Sequence, residues 1–182
     1  MAFASLELLA AHGVKADVPA EQTCCGQLLT NRGVVTRARP LASSFEACFA
    51  GYDYVVCPSG SCSAALHQHA RWLGAPAGGA ASRAQELCQF LVQVLGVRRA
   101  GVAFPHRVAL HESCHGLREL GLGRPSELGA IAGMSDSPAR QLLASVPELQ
   151  LVEPERADEC CGFGGSFAVE EEQVSARMGS DR

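Results

Sequence analysis

Several things are missing from this sequence of 182 residues, and each absence removes a class of function. No cluster of Lys and Arg is interleaved with aromatics, and the formal net charge is -4. Nucleic acids and anionic membrane surfaces are held by excess positive charge, so neither is an expected partner. No stretch approaches the roughly 20 apolar residues of a spanning helix, and no basic flank leads into a long apolar run. The chain is therefore expected to be cytoplasmic and to lack a membrane span. No Gly-x-Gly-x-x-Gly follows a strand-like run, so a flavin or nicotinamide would belong to a partner. The Cys-x-x-Cys knuckle favoured by structural zinc is absent too.

Cysteine, by contrast, is abundant. Nine cysteines form an odd set in a chain with no secretory signature, which argues against a disulfide framework and for thiolates bound to metal. The most informative strings are Cys24-Cys25-Gly26 and Cys160-Cys161-Gly162, each preceded by Leu-Leu-Ala, an apolar run and a proline. Fifteen positions separate Leu9 from Cys24 and 17 separate Leu143 from Cys160. This is an internal duplication, and a duplicated cysteine site points to duplicated metal centres. Iron–sulfur centres take soft thiolates on glycine-rich backbone, where amide N–H groups can point at sulfur. Adjacent cysteines suit that arrangement better than one tetrahedral zinc ion; a zinc-stapled interaction module is the non-enzymatic alternative.

Hydrophobic periodicity predicts a helix from Phe3 to Ala10 stopped by Gly13, a strand Val14 to Val18 and a loop Pro19 to Thr30. It then predicts a helix from Val34 to Phe49 interrupted or started at Pro40, a strand Tyr54 to Cys57, a helix Ser63 to Leu73, a loop Gly74 to Ser82 and a helix Ala84 to Leu95. In the second half strands are expected at Arg107 to His111 and Leu149 to Val152, with helices at Pro138 to Ser145 and Phe167 to Met178. Gly121 to Asp136 is glycine-rich and has no clear pattern. The expected fold is α/β, two pseudo-repeated lobes over residues 1–103 and 104–182, with a mainly parallel sheet and the cysteine loops at the carboxyl ends of strands.

The candidate ligands are Cys24, Cys25, Cys62, Cys114, Cys160 and Cys161. Cys57 continues an apolar strand and reads as a buried small hydrophobe, as do Cys48 and Cys88 within helical patterns. His111 is expected to pack in its strand, His115 to hydrogen-bond its loop, and His67 and His69 to be solvated. Glu170-Glu171-Glu172 reads as a solvated first helical turn. Cys114 precedes Leu143 by 29 positions, and Cys62 follows Cys25 by 37. Projected through the repeat, these intervals place a leading ligand for the first site before Met1 and a trailing ligand for the second beyond Arg182.

The strings Gln22-Thr23-Cys24-Cys25-Gly26-Gln27, Ala38-Arg39-Pro40-Leu41-Ala42, Pro58-Ser59-Gly60-Ser61-Cys62, Ser113-Cys114-His115 and Cys160-Cys161-Gly162-Phe163-Gly164-Gly165-Ser166-Phe167 resemble the cysteine-rich CCG-domain family, in its lactate-utilisation branch. That resemblance, which covers nearly the whole chain, implies up to two [4Fe–4S] clusters, one on Cys24, Cys25 and Cys62 and one on Cys114, Cys160 and Cys161. It also implies electron transfer within a cytoplasmic complex oxidising L-lactate to pyruvate, with other subunits as partners, among them another iron–sulfur protein. The heterodisulfide-reductase-like and glycolate-oxidase-like branches of the family are the alternatives. The family has a strand and a cysteine before the first helix and a strand with a Gly-Cys-Leu type ligand after the last, so the resemblance also implies that this chain is truncated at both ends.

Overall fold

The computed structural model describes residues 2–128 and 137–181. The fold is α/β, in two compact units, Met1–Arg99 and Ala100–Arg182. Each holds one pair of short parallel strands.

The first unit opens with helix α1, Ala2–Ala11. Gly13 ends it at φ 76°; its N–H donates to Ala10 and that of Val14 to Leu9, both at 3.0 Å. Such a left-handed exit is open to glycine at little cost. The expected strand Val14 to Val18 does not form; among the described residues no strand pairs with it. Within the expected loop, a short helix α2, Gln27–Asn31, follows the first doublet. Helix α3, Val35–Phe49, runs straight through Pro40. Its small residues Ala38 and Ala42 are buried against Leu73, with Leu29 and Val35 packed around them.

Strand β1, Val55–Cys57, leads into helix α4, Gly60–His67, and helix α5, His69–Leu73. A 3₁₀ turn, Ala80–Arg83, follows. The Glu46 carboxylate accepts from the N–H groups of Ala80 and Ala81, while the Arg83 guanidinium donates to the carbonyls of Phe49, Ala50 and Tyr52 at the end of α3. The expected helix over Ala84 to Leu95 is corrected at its start. Ala84–Glu86 is strand β2, paired in parallel with β1, and helix α6, Leu87–Gln89, continues as a π-helical turn, Phe90–Val94. The core gathers Phe49, Val55, Cys57, Leu66, Ala80, Ala81 and Ala84.

In the second unit strand β3, Arg107–Ala109, pairs with strand β4, Gln150–Val152. His111 lies beyond β3 and is exposed, not packed in it. A π-helical turn, His115–Glu119, follows Cys114 and buries Leu117. Of the glycine-rich stretch Gly121 to Asp136, residues 129–136 lie outside the described part. Helix α7, Pro138–Ala144, starts with Ser137 accepting from the Arg140 N–H and proline at the first turn, both favourable start signals. The expected terminal helix is two pieces, α8, Phe167–Glu170, and α9, Glu172–Asp181, broken at Glu171. The three glutamates are exposed. Among the described residues no helix is long and apolar enough to cross a membrane.

Candidate metal centres

Both units place a lone cysteine five residues after a strand. Cys62 follows Cys57, the last residue of β1, and Cys114 follows Ala109, the last residue of β3. Helix or π-turn begins at or beside each, so the thiol is held where the backbone leaves the sheet. The second doublet comes beyond β4, as expected. The first does not follow a strand; it is positioned instead by α2 and α3, which pack on each other.

In the first unit Cys25 and Cys62 meet thiol to thiol. The hydrogen bond from Cys25, and a further one from Ser59, hold the Cys62 thiol down to about 6, against a burial effect in the other direction. Cys25 gives up its proton less readily, because it is the donor to Cys62 and is also partly buried. Cys24 is exposed, and its Sγ accepts from the Gly26 N–H at 3.4 Å. Gly26 has φ 81°, a left-handed conformation from which the chain turns into α2. Cys57 is buried in the core, and that burial, with the charges of Cys62 and Glu86, pushes it up to about 12. Cys88 is likewise pushed up to about 12 by burial and then by Glu86. Cys48 packs against the core.

In the second unit Cys114 lies beside the doublet. Its thiol is raised by burial first, then by the charge of and hydrogen bond to Cys160, with Arg118 acting in the opposite sense. Gly162 has φ 78° and its carbonyl accepts from Ser175 Oγ at 3.0 Å. Arg118 donates to Glu127 at 2.6 Å and to Asp158 at 3.3 Å, and Asp158 accepts from the Ser126 N–H. Arg118, Ser126 and Asp158 line an open cleft of about 680 Å³ that reaches Cys160 and also includes Arg124. His115 sits 3.5 Å from Glu119, one helical turn away.

Sequence reasoning placed His69 in solvent, and the structure corrects this. The ring is 2% exposed and its Nε2 binds the Cys25 carbonyl at 2.8 Å. The signal was present: His69 lies three residues after Leu66 and four before Leu73, both buried, and so on the apolar face. His67, though exposed, also has a partner, the Ala84 carbonyl at 2.8 Å.

In each unit the three cysteines expected as ligands lie on a glycine-flanked loop and at a helix start, and in the first an amide points at sulfur. Those features fit an iron–sulfur cluster. Among the described residues no three His, Cys, Asp or Glu side chains are grouped so as to hold one metal ion.

A cysteine-rich domain, CCG, matches the chain over residues 3–67 and 108–182. Among similar proteins, the lactate utilization protein A of Geobacillus kaustophilus (strain HTA426) is 41% identical over 182 residues, 96% of this chain and 70% of that protein. Those of Oceanobacillus iheyensis and Bacillus subtilis (strain 168) are 36% and 34% identical, covering 96% of this chain and 68% and 71% of their own lengths. No solved structure matches the chain. The duplicated doublets, the two units with their parallel strand pairs, and these matches together show that the chain belongs to the cysteine-rich CCG-domain family, among the lactate utilization A proteins.

Proposed function

We propose that this chain is an iron–sulfur electron carrier in lactate utilisation. The observation that carries the reading is that each unit brings one cysteine of its doublet beside its lone cysteine, Cys25 beside Cys62 and Cys160 beside Cys114. Cys24, Cys25 and Cys62 would hold one [4Fe–4S] cluster, and Cys114, Cys160 and Cys161 the other. Bound there, the clusters would supply one-electron transfer.

The chain's own residues bind and shield. Gly26 and Gly162, both left-handed, turn the backbone directly after each doublet. Exposure of Cys24 and Cys160 leaves both sites within reach of a redox partner. Conversion of L-lactate to pyruvate releases two electrons and two protons, so a hydride acceptor on another subunit would pass electrons onward singly. The setting proposed is a cytoplasmic complex that contains another iron–sulfur protein.

Anaerobic purification followed by iron, acid-labile sulfide and zinc determination tests this. Iron with matching sulfide is expected. Zinc without sulfide would replace the reading by the stapled interaction module. Turnover of a small disulfide by the chain alone would favour a heterodisulfide-reductase-like activity, and lactate-dependent dye reduction by the chain alone would remove the need for partners.

A further inference from the structure

His69 opens α5 with its ring buried, edge-on to Phe45 at 5.9 Å between centroids. A carbonyl oxygen can only accept, so the proton in the 2.8 Å contact with Cys25 resides on Nε2. Nδ1 is then left buried with no hydrogen-bond partner. An apolar side chain of similar size would fill the space without that penalty. The polar ring is accounted for by the carbonyl it holds.

That carbonyl and the Gly26 N–H are the two ends of one peptide unit, and this N–H is the donor to Cys24 Sγ at 3.4 Å. Because the peptide is planar and trans, orienting one end orients the other. A hydrogen bond to the carbonyl also polarises the amide and strengthens its N–H as a donor. The far side of the turn is closed by Leu41 and Ala38, 3.4 and 3.6 Å from the place a Gly26 Cβ would occupy. The second doublet is anchored differently, by Ser175 on the Gly162 carbonyl.

We propose that His69 is a positioning residue for the first metal centre: its hydrogen bond to the Cys25 carbonyl sets the Cys25–Gly26 peptide so that the Gly26 N–H is directed at the Cys24 sulfur, and so raises the reduction potential of the centre. An N–H donor to a ligand sulfur stabilises the extra negative charge of the reduced form. The part concerning the potential rests on the iron–sulfur reading; the part concerning the peptide does not.

The test uses the full chain with His69→Leu, His69→Gln and, as a packing control, Phe45→Leu. In metal-free protein, hydrogen exchange at the Gly26 amide is followed by NMR. Exchange about fivefold to tenfold faster is expected in His69→Leu, the loss of one hydrogen bond, with His69→Gln intermediate because its amide can donate to the same carbonyl. In anaerobically reconstituted protein, a redox titration followed by EPR is expected to show a lower potential for the centre whose signal disappears in Cys25→Ser. His69→Gln should partly restore that potential, and the centre lost in Cys161→Ser should not move. Unchanged Gly26 exchange in His69→Leu overturns the proposal, as does an equal effect of Phe45→Leu. Faster Gly26 exchange with an unchanged first-centre potential overturns its redox part. Should the wild-type protein take up no cluster, the iron–sulfur reading fails, and the exchange result alone decides the peptide's positioning.

Discussion

Replacing Gly162 by alanine should damage the second unit more than the same change at either of two other left-handed glycines. Gly162 has φ 78°, where an L-residue loses about 1–2 kcal/mol. The added Cβ would lie 2.6 Å from the Ser175 carbonyl oxygen and 3.0 Å from Met178 Cβ. The nearest obstacle is helix backbone, so α9 has to shift as a body, and overpacking of this kind costs about 1–3 kcal/mol. The shift also strains the 3.0 Å bond from Ser175 Oγ to the Gly162 carbonyl, worth about 1 kcal/mol. The expected loss is thus about 3–6 kcal/mol, a large share of the 5–15 kcal/mol of a typical domain. Gly26→Ala meets nothing closer than 3.4 Å at φ 81°, so about 1–2 kcal/mol is expected. Gly13→Ala, at φ 76° with nothing within 4 Å, should lose about the same left-handed penalty and no more. Urea denaturation of the three variants measures the ranking, and hydrogen exchange along α9 locates the damage. A Gly162→Ala protein no less stable than Gly13→Ala would refute the packing argument.

Three further outcomes follow from the same geometry. Single Ser replacements of Cys25 or Cys161 should lower iron per chain, while Cys48→Ser and Cys88→Ser should keep it; the reverse pattern in an iron assay would contradict the ligand assignment. In metal-free protein at neutral pH, iodoacetamide should reach Cys62, held down to about 6, well before Cys57 and Cys88, both pushed up to about 12; mass spectrometry gives the order. Asp158 and Glu127 are held below their ordinary values, Asp158 chiefly by the Ser126 N–H and Glu127 chiefly by Arg118. A depressed carboxylate stabilises the folded form above its unfolded pKa of about 4 and loses that contribution as pH falls through the folded value. The second unit should therefore weaken on acidification below about pH 4, and Asp158→Asn should flatten that slope in thermal melts against pH.

Local chemistry made much of this legible. The two doublets, their glycines, the stop at Gly13 and the start at Ser137-Pro138 are decided within a few residues, because a left-handed exit or a capped first turn depends on little beyond its own segment. The strands at Val55, Arg107 and Gln150 are short apolar runs between turn residues and were readable for that reason. Where pairing depends on distant residues, the reading failed. Val14 to Val18 has the composition of a strand but no partner among the described residues, and Ala84–Glu86, at the head of a helical pattern, is drawn into register with Val55–Cys57.

By itself, then, the sequence determined the class of chain: two cysteine doublets on glycine-flanked loops, duplicated, in an α/β chain. Tertiary structure decided which thiols meet and what steadies them. Cys25 reaches Cys62 across 37 residues, and a buried histidine 44 residues away holds its carbonyl. Composition and periodicity describe each segment's preference, whereas these contacts exist only after the helices and strands have packed and excluded the alternatives.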